Sequence, residues 1–173
     1  MSPVITPVIS RQRIQEQVYD LATRINHDYD NQELVIIGVL KGVFIFLADL
    51  VRLLKMPVRI DFVHLSSYGQ GSTSSGEVLV RKDVEISLKD QHVLIVEDIV
   101  DSGLTMAFLL QHLQTRRPES LKICCLIDKT ERRTVSVPLD YVGFSIDQGF
   151  LVGYGLDYAE QHRHYPDICK IQL

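Results

Sequence analysis

Three short apolar runs in this chain drive straight into charged residues. LVIIGVL (34–40) stops at Lys41 and Gly42, VLIV (93–96) meets Glu97 and Asp98, and LKICCLI (121–127) meets Asp128 and Lys129. Runs of this length, rich in β-branched residues and without polar alternation, read as strands buried on both faces. Helical segments separate them. Residues 43–55 form one, stopped near Met56 and Pro57, and a second starts at about Thr105 and is closed by Pro118. Buried strands alternating with helices define an α/β fold, a central and mostly parallel sheet flanked by helices. Such sheets bind ligands at the carboxyl ends of their strands. The charged residues that terminate the three runs therefore belong along one edge of one sheet.

The other elements fit one domain over residues 1–173. Ser10 caps a first helix, with Ile9 and Ile14 placed as a hydrophobic staple. Ile14, Val18, Leu21 and Ile25 form its apolar stripe, and Asn26 to Gln32 read as a polar loop. RIDFVHLSSY (59–68) alternates as a strand. GQGSTSSG (69–76) cannot pack a core and reads as a flexible loop, and EVLVRKDVEISL continues as a hairpin arm. LDYVGFSI (139–146) and DICKIQL (167–173) are further strands.

Composition removes several classes. A net charge of −4 and a pI near 5.8 do not suit bulk electrostatic binding of nucleic acid. The three cysteines, two of them adjacent, make neither a disulfide framework nor a zinc motif. The longest apolar stretch, VFIFLADLVRLL, is broken by Asp49 and Arg52, and MSPVITPVIS lacks the basic start of a secretory signal. The expectation is a cytoplasmic protein with no membrane partner.

VLIVEDIVDSGLT (93–105) carries the chemistry. Gly103 opens backbone conformations closed to other residues. A turn of small residues at a helix N-terminus aims several N–H groups at one point, where the helix dipole favours an anion. Ser102 and Thr105 add hydroxyls. Glu97 and Asp98 repel a phosphate but suit a polyol, or a hard cation such as magnesium shared with the phosphates. The residues thus describe a site for a phosphorylated sugar; an acidic turn that merely caps a helix uses the same residue types.

The full pattern resembles the phosphoribosyl pyrophosphate motif of type I phosphoribosyltransferases, and the resemblance extends along nearly the whole chain to the hypoxanthine–guanine branch of that family. The fold it implies adds a small hood, built from the N-terminal residues and about 147–173. LKG, at Leu40, Lys41 and Gly42, is similar to the loop whose amides meet pyrophosphate, with a cis Leu40–Lys41 bond. Ser67 and Tyr68 resemble the signature of a flexible catalytic loop spanning about 66–80. The resemblance gives Glu97, Asp98, Asp101, Ser102, Gly103, Leu104, Thr105 and Arg163 to phosphoribosyl pyrophosphate. Lys129, Phe150, Leu151 and Asp157 go to the purine. Lys129 would donate to the 6-oxygen, Phe150 would stack on the ring, and Leu151 would read its edge through the backbone. Magnesium would be held by Glu97 and Asp98, with a second ion at Asp157. Leu104 stands where some relatives carry lysine, and Leu151 is not the usual residue at its position.

The implied reaction joins a 6-oxopurine to phosphoribosyl pyrophosphate, with Asp101 as general base on the purine's imidazole nitrogen. The family implies a homodimer or homotetramer. Two rivals share the fold: a nucleotide-sensing transcriptional regulator and a pyrimidine transferase. The first keeps the cradle without base-recognition residues; the second does not need the Asp101 and Lys129 pair.

Overall fold

The computed structural model describes residues 4–67 and 78–172. Tyr68 and most of the expected catalytic loop lie outside them, as does the side chain of Ser67. The described chain runs β1 (Val4–Ile9), α1 (Arg11–Asp28), β2 (Leu34–Leu40), α2 (Phe44–Val51), β3 (Val58–Ser67), β4 (Val78–Lys82), β5 (His92–Val100), α3 (Leu104–Gln114), β6 (Ser120–Lys129), β7 (Tyr141–Ile146), β8 (Phe150–Val152) and β9 (Ile168–Gln172).

Six strands form the main sheet in the order β4-β3-β2-β5-β6-β7. All neighbours are parallel except β3 and β4, which form the expected hairpin. Alternate residues of each central strand face opposite sides. Leu34, Ile36, Leu94, Val96, Cys124 and Leu126 pack under α1 and α2. Val35, Ile37, Val93, Ile95, Ile123 and Cys125 pack with Met106, Leu109 and Leu113 of α3. Both faces are covered, so the apolar runs need no polar side.

Ser10 caps α1 by accepting the Arg13 N–H at 3.4 Å. The helix then continues through Asn26–Asp28, where a polar loop was expected, and is followed by a buried Tyr29. The reason is a tertiary contact. Asn26 donates to the Leu53 carbonyl at 3.0 Å and accepts the Lys55 N–H at 2.8 Å, so its amide completes the end of α2. The second helix is correspondingly shorter than its apolar pattern, because Arg52 to Lys55 serve as connection. The expected loop over about 66–80 is also narrower at its ends: Ser66 and Ser67 pair with Leu79 and Val78.

A separate three-stranded sheet, ordered β1-β9-β8 and antiparallel throughout, joins both terminal segments. β1 is an edge strand, which is where Pro7 is tolerated, and the register shifts just after it.

Candidate active site

The chain leaves β2 through α2 for β3 on one side, and leaves β5 through α3 for β6 on the other. The carboxyl ends of β2 and β5 therefore lie where the winding reverses, the place at which a parallel α/β sheet opens a crevice. A cleft of about 390 Å³ is found there, lined by Leu40, Lys41, Gly42, Asp98, Asp101, Lys129, Phe150, Leu151, Asp157 and Arg163 among others. These ten expected residues come from five separate stretches of chain. Glu97, Ser102, Gly103, Leu104 and Thr105 are not part of its lining; they lie on β5 and at the start of α3, contiguous in chain with Asp98 and Asp101.

The end of β2 is built by close approach. The Leu40–Lys41 peptide is cis, as the resemblance implied. Any Cβ on Gly42 would overlap Oδ2 of Asp98, so glycine alone lets this loop sit against the acid. Glu97 and Asp98 do not project past the strand into solvent. β5 continues through both, and they retain only 8% and 7% exposure. Burial first, and then the Asp98 charge, push the Glu97 carboxyl well above the usual range. Burial likewise raises Asp98, against the partial relief of hydrogen bonds from Glu97 and the Ile99 N–H and the more distant charge of Arg163. Two adjacent acids short of positive charge suit a cation or a set of hydroxyl donors.

The turn after β5 is held from below. Gly103 is the N-cap of α3 in a left-handed conformation, φ +85°, and being glycine it offers no side chain of its own to that end. Ser102 Oγ accepts the Leu104 N–H at 3.3 Å. The Ser102 carbonyl accepts the N–H groups of Thr134 and Val135 at 2.9 and 3.1 Å. A Cβ on Gly103 would collide with the Val135 carbonyl. Helix N-terminus and small residues leave backbone donors directed at one point, which can hold an anion.

Lys129, the last residue of β6, is 5% exposed, where a lone lysine after a strand is usually solvated. Its Nζ lies 3.3 Å from Asp101 Oδ2 and 3.1 Å from Glu131 Oε2. Asp101 Oδ1 is buried without a hydrogen-bond partner among the described residues. A proton-accepting oxygen and an ammonium donor thus stand side by side at the cleft. Phe150 is 42% exposed and meets Tyr158 edge-on with ring centroids 5.5 Å apart, which leaves aromatic surface at the cleft. Leu151 is buried and paired with Lys170 of β9. Arg163 pairs with Asp157 at 2.9 Å and donates to the Gly155 carbonyl at 2.7 Å.

Arg133 was not singled out in the sequence. Its guanidinium donates to the carbonyls of Asp101 at 2.7 Å, Val100 at 2.9 Å and Lys129 at 3.1 Å, and it pairs with the Asp128 carboxylate. It therefore ties the turn after β5 to the end of β6. Glu131 and Glu160 were missed as well. An arginine or glutamate in a polar stretch carries no periodicity that separates it from a solvated one.

The sequence model of the phosphoribosyl transferase domain matches residues 9–159. The hypoxanthine phosphoribosyltransferase of Haemophilus influenzae is 43% identical over 96% of this chain and 94% of its own length. The hypoxanthine-guanine phosphoribosyltransferase of Bacillus subtilis is 42% identical over 93% of this chain and 89% of its own. Among solved structures, a hypoxanthine-guanine phosphoribosyltransferase from Bacillus anthracis superposes with a TM-score of 0.92 at 45% identity, covering 96% and 98% of the two chains. The chain belongs to the phosphoribosyltransferase family. Within it, likeness along the whole length puts the chain on the hypoxanthine phosphoribosyltransferase branch, pentosyl-transferring enzymes of purine salvage.

Proposed function

We propose that this chain transfers the 5-phosphoribosyl group from phosphoribosyl pyrophosphate to hypoxanthine, guanine or both, giving the nucleoside monophosphate and pyrophosphate. The observation that carries this reading is the buried Lys129, ion-paired with the half-exposed Asp101, beside an exposed aromatic face at the switch-point cleft. Lys129 offers only donors and therefore suits a purine with oxygen at its sixth position. Phe150 stacks on the ring, and the backbone of Leu151 meets its edge.

In the transfer, the bond from the ribose anomeric carbon to pyrophosphate breaks, and its electron pair leaves with pyrophosphate. A bond from the same carbon to the purine's imidazole nitrogen forms, and Asp101 takes the proton of that nitrogen. Lys41, the amides around it and Arg163 receive the leaving charge, with donors in place before charge develops. Residues Ser102 to Thr105 hold the 5-phosphate, and Glu97 and Asp98 the ribose hydroxyls. Glu97 and Asp98 would hold a divalent cation, and Asp157, which lines the cleft, a second. Carboxylates of this kind would hold magnesium together with oxygens of the substrate. When bound, such an ion would supply charge neutralisation at the phosphates.

The small sheet and the segment that joins its strands carry Phe150, Leu151 and Asp157, while Lys129 comes from the end of β6. No helix among the described residues is long and apolar enough to cross a membrane. A cytoplasmic homodimer or homotetramer is the setting we assign. Incubation with phosphoribosyl pyrophosphate, magnesium and each base separately, followed by chromatography, tests the reading. Inosinate or guanylate is the expected product; formation of uridylate alone, or of no nucleotide, would overturn it.

A further inference from the structure

Glu160 lines the same cleft and has no part in the reaction above. Its Oε1 lies 3.0 Å from Lys41 Nζ and its Oε2 lies 3.4 Å from Arg163 Nη2. One carboxylate thus bridges the two cations assigned to the leaving pyrophosphate, one from the β2 loop and one from the segment before β9.

The backbone under Glu160 is unusual. Tyr158 and Gln161 exchange backbone hydrogen bonds at 3.1 and 3.0 Å across a two-residue turn. Its central residues, Ala159 and Glu160, have φ of 51° and 62°. Positive φ at both positions is the type I′ geometry, which Asn-Gly or Gly-Gly adopts at least cost. An alanine and a glutamate held there are strained, and such strain persists where the surrounding contacts determine it. The Glu160 N–H is bonded to Asp157 Oδ2 at 2.8 Å, which fixes the turn beside the arginine. Lys41 first, and then Arg163, hold the Glu160 carboxyl below the usual range, so it is anionic at neutral pH.

We propose that Glu160 is an internal stand-in for pyrophosphate: its carboxylate neutralises Lys41 and Arg163 in the ligand-free cleft, gives them up when pyrophosphate binds, and returns as it leaves. The inference rests on the pyrophosphate assignment above. Glu160 remains 65% exposed at its side chain, so it swings out without opening the core. Being tethered, it competes at high effective concentration, which weakens pyrophosphate and speeds its release. Asp157 still faces Arg163 after Glu160 departs, so the guanidinium stays oriented.

The test is calorimetric titration of the full chain with magnesium pyrophosphate. Exposed ion pairs are weak, so Glu160→Gln should tighten pyrophosphate by only about three- to fivefold. Ribose-5-phosphate, held at the α3 turn, should bind the variant as it binds the parent. In a Lys41→Gln background the gain from Glu160→Gln should shrink, because one of its two cations is gone. Unchanged or weaker pyrophosphate binding by Glu160→Gln, or an equal gain in both backgrounds, overturns the inference and leaves the pyrophosphate assignment standing. A parent protein that takes up no pyrophosphate overturns that assignment and the inference with it.

Discussion

At the scale of residues, this cleft is decided by three carboxylates in different surroundings. Asp101 is salt-bridged to Lys129 through one oxygen, while its other oxygen is buried and has no hydrogen-bond partner among the described residues. Asp101→Asn keeps the size and loses the basicity. It should lower kcat by about 100-fold, the common scale for loss of a general base, with phosphoribosyl pyrophosphate still bound. Steady-state kinetics with calorimetry checks this, and near-normal turnover would remove Asp101 from the reaction. Glu97 and Asp98 are different. Both have native pKa values raised by burial, so the native state holds more protons than the unfolded chain once pH exceeds the ordinary carboxylate range. Stability from this pair is present in acid and is lost as pH rises through the raised native values. Glu97→Gln removes one of the two charges. The ligand-free variant should melt about 3 °C above the parent at neutral pH, and its advantage should shrink towards acid. Its affinity for ribose-5-phosphate compounds should drop about tenfold. A melting difference independent of pH would show that the pair is already relieved.

At the scale of elements, the active cleft depends on how the β5 and β6 ends are held together. Arg133 does this with one fork that reaches three carbonyls and the Asp128 carboxylate. A lysine there keeps the charge but not the fork. Arg133→Lys should lower kcat/KM for the purine about tenfold, through misplacement of Asp101 against Lys129, and lower the melting temperature as well. If kcat/KM holds while only the melting temperature falls, the arginine serves the fold alone. Elements were also where the sequence was most legible. The central strands β2, β5 and β6 show themselves as unbroken apolar runs because both of their faces are buried. The C-terminal strands β7 and β9 were legible too. β1 was hidden as a strand by Pro7, which interrupts the short apolar run VITPVI and is tolerated only because the strand lies at the edge of its sheet. The last turn of α1 was hidden because Asn26 looks like a loop residue and instead completes the end of α2.

At the scale of the whole molecule, two sheets share the site. The main sheet brings Lys41, Asp98, Asp101 and Lys129 to one edge, and the small sheet brings Phe150 and Leu151 to face them. A pattern of residues implied both sets, but it could not reveal what ties them together. The pairing of the buried Lys129 with Asp101, and the link from Glu131 to the Gly149 N–H at 3.2 Å, arise only when distant segments meet. Neither has a local signature. On the proposed reaction, the same arrangement would set the selectivity among purines. Adenine presents an amino donor where hypoxanthine and guanine present oxygen, so adenine would set a donor against the Lys129 ammonium in a desolvated place. Leaving such groups unpaired costs about 1–3 kcal/mol, and sites built on one polar contact can reject the wrong partner by about 10⁴-fold. The decisive measurement is kcat/KM for hypoxanthine, guanine and adenine at fixed phosphoribosyl pyrophosphate and magnesium. The account predicts efficient turnover of hypoxanthine, guanine or both, and negligible turnover of adenine; adenine turned over as well as hypoxanthine would contradict it.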